Sequence, residues 1–136
     1  MSHVRQQIRD AVVEALTPLG GVHTSRTLSI RQEELPVYLV SAGPEEIEGD
    51  MSALLRLFQV IVEIVVGGPD YDDAIDAQLV EVERALTGDL SQLVESFLPA
   101  NIDINVSVDG ATPIARARLV YEARYRTNFN DPELSI

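Results

Sequence analysis

The spacing of apolar residues divides the chain into two helical stretches and several extended ones. Val4, Ile8, Val12 and Leu16 recur at every fourth position with Ala11 and Ala15 beside them, which predicts an amphipathic helix over His3–Leu16 with Ser2 as its cap. Pro18 and the pair Gly20, Gly21 end it. Val22–Ile30 reads as a short, irregular strand, and Pro36–Ala42 as a firmer one, because Val37, Leu39 and Val40 are compact and β-prone. Gly43–Asp50 combines Gly43, Pro44 and Gly49 with Glu45, Glu46, Glu48 and Asp50. That composition breaks regular structure and repels itself, so the segment is expected to be a mobile assembly loop.

Leu54–Val66 alternates. Leu54, Phe58, Val60, Val62, Ile64 and Val66 face one way, the core, and Leu55, Leu57, Gln59, Ile61, Glu63 and Val65 the other. Gly67, Gly68, Pro69 and Asp70 stop this strand. Asp70 then caps a second helix whose buried face is Tyr71, Ile75, Leu79, Val82 and Leu86, ending at Gly88. Asp89–Ala100 reads as either a turn of helix or a loop closed by Pro99. Ile102, Ile104, Val106 and Val108 alternate with polar residues, the pattern of a half-buried strand, and Asp109–Gly110 supplies a turn. The return strand, Ile114–Thr127, sends Ala115, Ala117, Leu119, Tyr121, Ala123 and Tyr125 to one face and Arg116, Arg118, Val120, Glu122, Arg124 and Arg126 to the other. Residues 128–136 lack periodicity and are expected to be a loosely held tail. The order predicts one α+β domain over residues 1–127, an antiparallel-rich sheet of four to five strands with both helices packed on one face. Its two longest strands would span roughly 43 to 46 Å at about 3.3 Å per residue, well beyond the usual strand.

Composition narrows the function. The 136 residues are 46% hydrophobic and 24% charged, ordinary for a folded domain. The absence of cysteine removes disulfides, thiolate metal sites and cysteine nucleophiles. A net charge of -12 argues against binding to a nucleic-acid backbone. All ten basic residues are arginines, and four of them fall between Arg116 and Arg126. No secretory signal and no apolar stretch of membrane-spanning length is evident, so a cytoplasmic location is expected.

Candidate chemistry is sparse. Asp70, Asp72, Asp73 and Asp76 resemble a calcium loop only superficially, since the sixth position, which needs glycine, holds Ile75 although the twelfth holds a glutamate, Glu81, and acids at a helix start are explained by the helix dipole. His3 and His23 stand in no zinc or proton-relay spacing. The GGPD turn at Gly67 lacks the glycine pattern and lysine of a nucleotide loop, and no nucleophile elbow occurs. No catalytic residue, metal or cofactor is expected. The apolar Leu55, Leu57, Ile61 and Val65 on the outward face of the long strand suggest that something covers it.

The segments HVRQQIRDAVVEAL at His3, LPVYLV at Leu35, EVERAL in the second helix and YEARYRT in the closing strand, together with Arg26, the long strand and the order of elements, carry a resemblance. Across nearly the whole chain the sequence resembles the tail terminator family of long-tailed phages and prophages, also called the minor tail protein U family. The resemblance implies a non-enzymatic subunit, present in the host cytoplasm during assembly and then in the virion. It would form a hexameric ring on the head-proximal end of the tail tube, stop tube polymerisation and offer a joining surface to a neck or head-completion protein. The partners implied are thus further copies of the chain, the tail tube protein and a neck protein. Arg116, Arg118, Arg124 and Arg126 are the candidate subunit contacts, meeting acids of the next copy head-to-tail, with Leu57, Ile61 and Val65 as apolar contact area; the alternative is that Glu63 and Glu122 pair with some of these arginines across the sheet of the same copy. A neck adaptor between portal and tail is the alternative structural role. A small-ligand binding domain or enzyme built on the Asp70 cluster is the alternative outside that class.

Overall fold

A computed structural model of the chain describes residues 2–24, 35–87, 90, 93–109 and 112–136. The expected strand Val22–Ile30 falls largely outside them; its described part is β1, Val22–His23. The remaining elements are α1 (Val4–Leu16), β2 (Val37–Gly49), β3 (Ala53–Gly67), α2 (Tyr71–Ala85), β4 (Ser96–Asp109), β5 (Thr112–Asn128) and β6 (Asp131–Ser135). A short 3₁₀ turn, Thr17–Leu19, follows α1.

The fold is α+β, with two helices on one face of a mostly antiparallel sheet of six strands rather than four to five. Among the described residues the strand order is β1-β2-β3-β5-β4, with β6 also on β5 and only the β1–β2 pair parallel. Both helices bury the faces their spacing predicts: Val4, Ile8, Val12 and Leu16 from α1, and Ile75, Leu79 and Val82 from α2. These join Tyr38, Val40, Phe58, Val60, Val62, Ile64 and Val66 in one core. The small Ala115, Ala117 and Ala123 of β5, all fully buried, let the helical layer sit close to the sheet. Two expected caps differ. The cap of α1 is His3, whose Nδ1 accepts from the Arg5 backbone N–H at 3.0 Å, and Asp70 precedes α2 without a side-chain capping bond.

The long strands are real. β3 and β5 stay in unbroken register from Ala53↔Asn128 to Gly67↔Ile114. The expected mobile loop at Glu45, Glu46, Glu48 and Asp50 is instead the second half of β2, paired to β3 from Glu45↔Phe58 to Gly49↔Leu54. The turn comes later, at Asp50–Ser52, where the Asp50 carboxylate accepts from the Ser52 backbone N–H at 2.8 Å. Gly49, at a φ of 137°, closes it, because a Cβ there would lie 2.3 Å from the Ala53 carbonyl oxygen. Gly43 and Pro44 form a bulge within the strand, and Gly43 is needed for its close approach to Gln59, whose Cβ would lie 3.0 Å from an added Cβ. Strand geometry also disperses the acids: Glu45 turns toward the helices while Glu46 and Glu48 turn to the opposite face.

The tail is held as well as the rest. β6 pairs with the end of β5, the Ile136 N–H donates to the Arg126 carbonyl at 2.8 Å, and the Gln7 amide of α1 donates to the Glu133 carbonyl at 2.8 Å. Of Asp89–Ala100, residues 89, 91 and 92 lie outside the described ones; the Leu90 carbonyl accepts from the Leu93 and Val94 N–H groups at 2.9 and 3.0 Å, the bonding of a helical turn, and β4 then begins at Ser96 and runs through Pro99 with a register break between Pro99 and Asn101.

Candidate functional site

The strand β5 sets the candidate surface, because its 17 residues alternate without interruption between the core and the outer face of the sheet. Ala115, Ala117, Leu119, Tyr121, Ala123 and Tyr125 are buried under the helices, while Arg116, Arg118, Arg124 and Arg126 form an exposed row on the other side. The structure therefore brings the four arginines to one face, as their spacing predicts.

Their partners divide the row. Arg116 Nη1 lies 3.0 Å from Glu63 Oε2. Arg124 and Arg126 both reach Glu95, at 3.5 and 3.0 Å. Arg118 stands directly across from Glu63 and Asp103 in the strand registers, yet it makes no ion pair or side-chain hydrogen bond among the described residues. A groove of about 470 Å³ opens beside it, with Glu63, Asp103, Ile104, Asn105 and Arg116 in its walls. Exposed Glu46 and Glu48 lie on the same outer face at the opposite side of the sheet, since they pair with Leu57 and Leu55.

The apolar part of the expected contact is corrected. Ile61 and Val65 point outward, but each is only 2% exposed. Val65 packs with Val37, Leu39, Leu35 and Ile114 in a small second cluster on that face. Leu57 is half-buried. That cluster hides Val65, which the alternation alone leaves outside, and the contact area that Ile61 and Val65 offer a neighbour is correspondingly small.

Sequence reasoning missed a second constellation, on the core side of the sheet. Arg56 occupies a core-facing position of β3 that apolar residues otherwise fill. Its guanidinium pairs with Glu45 at 3.2 Å, with the two side chains 8% and 7% exposed. Arg56 Nε donates to Thr127 Oγ1 at 3.1 Å, the Tyr125 hydroxyl donates to Glu45, and His3 Nε2 lies 3.5 Å from Arg56 Nη1. Burial, then the Glu45 carboxylate, pushes the Tyr125 pKa upward. Burial and the Arg56 charge lower that of His3. A folded-state histidine pKa below its unfolded value means that the unfolded chain binds the proton more tightly, so this group favours the fold at neutral pH and that contribution is lost as pH falls through the ordinary histidine range. The only signal in the sequence was one arginine breaking an apolar alternation, which has no meaning until Glu45 is known to lie in a strand.

This cluster holds its own members with their donors and acceptors matched, the arrangement that makes a buried pair structural. Among the described residues no group of three or more histidine, cysteine or acidic side chains is placed to hold a metal ion. Asp72, Asp73 and Asp76 are exposed on the first turns of α2. No helix among the described residues is long and apolar enough to cross a membrane. No protein-family model matches this chain, and no curated protein sequence does.

Proposed function

We propose that the chain is a structural subunit that assembles head-to-tail into a ring, and that the ring is a terminator on the head-proximal end of a phage tail tube. The observation that carries the assembly reading is the polarity of the outer sheet face. Exposed arginines run along β5, with Arg118 unpaired among the described residues, while exposed Glu46 and Glu48 stand on β2 at the other side of that face. A surface with opposite charges at its two sides complements a copy of itself placed beside it, the heterologous geometry that generates rings. In a protein of net charge -12, most other surface encounters between copies are repulsive, so the arginine row selects both partner and register.

The terminator role rests on the resemblance in sequence, and the α+β domain with its long sheet is consistent with it. On this reading the partners are further copies of the chain, the tail tube protein and a neck protein. The subunit acts in the host cytoplasm during assembly and then in the virion, and its function lies in its interfaces. The decisive experiment replaces Arg118 and Arg124 together with glutamate. The variant is expected to keep its circular dichroism spectrum, because both side chains are exposed, but to lose rings and the capping of tail tubes seen by electron microscopy. Normal rings and normal tube lengths from the folded double variant would remove the arginine row from the subunit contact.

A further inference from the structure

A strand whose alternation reads as half-buried has its apolar side uncovered. Ile102, Ile104 and Val106 of β4 pair across to Leu119, Ala117 and Ala115, which are fully buried, so the three lie on the helix-covered side of the sheet. They are nonetheless 42%, 50% and 39% exposed. Among the described residues the helices pack mainly on β2, β3 and β5, and on β4 only the start, at Phe97, packs against the core they cover. Every residue from Leu98 to Ser107 is exposed, and among the described residues no strand pairs with the outer edge of β4.

Sheets normally blunt such edges with bulges, proline, charge or short strands. The opposite edge here does so: the free half of β2 carries the Gly43–Pro44 bulge and the exposed acids Glu46 and Glu48. The first half of β4 carries Pro99 and a register break. Asn101–Ser107 has regular register, no proline, no lysine and a single charge, Asp103.

We infer that Asn101–Ser107 pairs antiparallel with the same segment of a second copy, about a two-fold axis through Ile104. The segment is self-complementary in that register. Ile104 meets Ile104, Ile102 meets Val106, Asp103 meets Asn105, and Asn101 meets Ser107, so apolar side chains line one side of the joined sheet and polar ones the other. The two Asp103 side chains avoid facing each other, and each has Arg118 opposite on its own β5. Pairing β4 with β2 of a neighbour would instead bring Asp103 toward acids and meet the bulge, which favours the two-fold arrangement. The inference does not rest on the terminator reading, because it uses a sheet edge rather than the arginine row.

The natural absence of cysteine makes the register directly testable. Ile104→Cys should form a disulfide-linked dimer under mild oxidation, since residue 104 faces its own copy within disulfide reach. Ser107→Cys alone should stay monomeric, its two copies lying roughly 20 Å apart at about 3.3 Å per residue, whereas mixing it with Asn101→Cys should give hybrid dimers. In sedimentation, the Arg118→Glu, Arg124→Glu variant, which lacks the ring contact, should move from monomer toward twice that mass as concentration rises, and adding Ile104→Lys should leave it monomeric. A chain that is monomeric at every concentration, or that cross-links as readily through 107 as through 104, overturns the pairing. If Ile104→Lys fails to fold, the contrast between the two single-cysteine variants still decides. Cross-linking at 104 that persists in the Arg118→Glu, Arg124→Glu variant would separate this contact from ring formation.

Discussion

Two arginine–glutamate pairs lie on opposite faces of the same sheet, Arg56–Glu45 at 3.2 Å under the helices and Arg116–Glu63 at 3.0 Å on the outside. Their distances are nearly equal and their surroundings are not. The first pair is about 8% exposed and shares its lone pairs and protons with Tyr125 and Thr127, whereas Arg116 is 49% exposed. Coulomb attraction at a given separation grows as water is excluded, but so does the cost of stripping each charge of water. The inner pair is therefore hard to break singly. The outer one is free to exchange its partner for another, as a surface that meets a neighbour must.

The sharpest way to break the contrast is Glu45→Ala, which strands the Arg56 charge in the core and is expected to cost about 3–5 kcal/mol, read as a fall in the denaturant midpoint. Removing both charges with well-packed apolar residues should cost far less than either single change, and a double-mutant cycle would measure the difference. Tyr125→Phe removes one donor to Glu45 and is expected to destabilise by about 1–3 kcal/mol.

The same region should respond to alkali. Burial raises the pKa of Tyr125, and burial, followed by Glu83, pushes that of Tyr121 up to about 12. A tyrosine whose folded pKa exceeds its unfolded value contributes stability that is complete below pH about 10 and is lost as pH rises toward the folded value. Absorbance titration should show these two ionising late, and Tyr125→Phe should flatten part of the alkaline fall in stability. On the outer face, Arg116→Ala should change stability by only about 0–1 kcal/mol, and less as salt is added. A loss as large as that from Glu45→Ala would show the two faces to be equivalent after all.

What period and alternation carry was legible along the chain. The apolar stripes of α1 and α2 are short-range patterns, set by 3.6 residues per turn, and the structure buries the residues those stripes name. The faces of β3 and β5, including the arginine row, follow from a repeat of two that no packing partner can alter. Composition misled where it was read locally. Gly43–Asp50 has the residues of a loop, but a partner strand long enough to satisfy its backbone lies a few residues downstream, and Arg56 neutralises the acid that turns inward. The closing residues gain order in the same way, from β5 and α1.

The two helices and the long strands β3 and β5, and which side of each is apolar, were written in the sequence by itself, because those properties depend on neighbours a few residues apart. The tertiary structure decided what each side meets. It buried Ile61 and Val65 on a face that alternation leaves open, left Ile102, Ile104 and Val106 open on a face that alternation assigns to the core, and joined Arg56, Glu45, Tyr125 and Thr127 from three strands. On the helix side, burial depends on how far the helical layer extends over the sheet, and on the outer side on which residues of neighbouring segments gather there, both set by chain topology rather than by the residues covered.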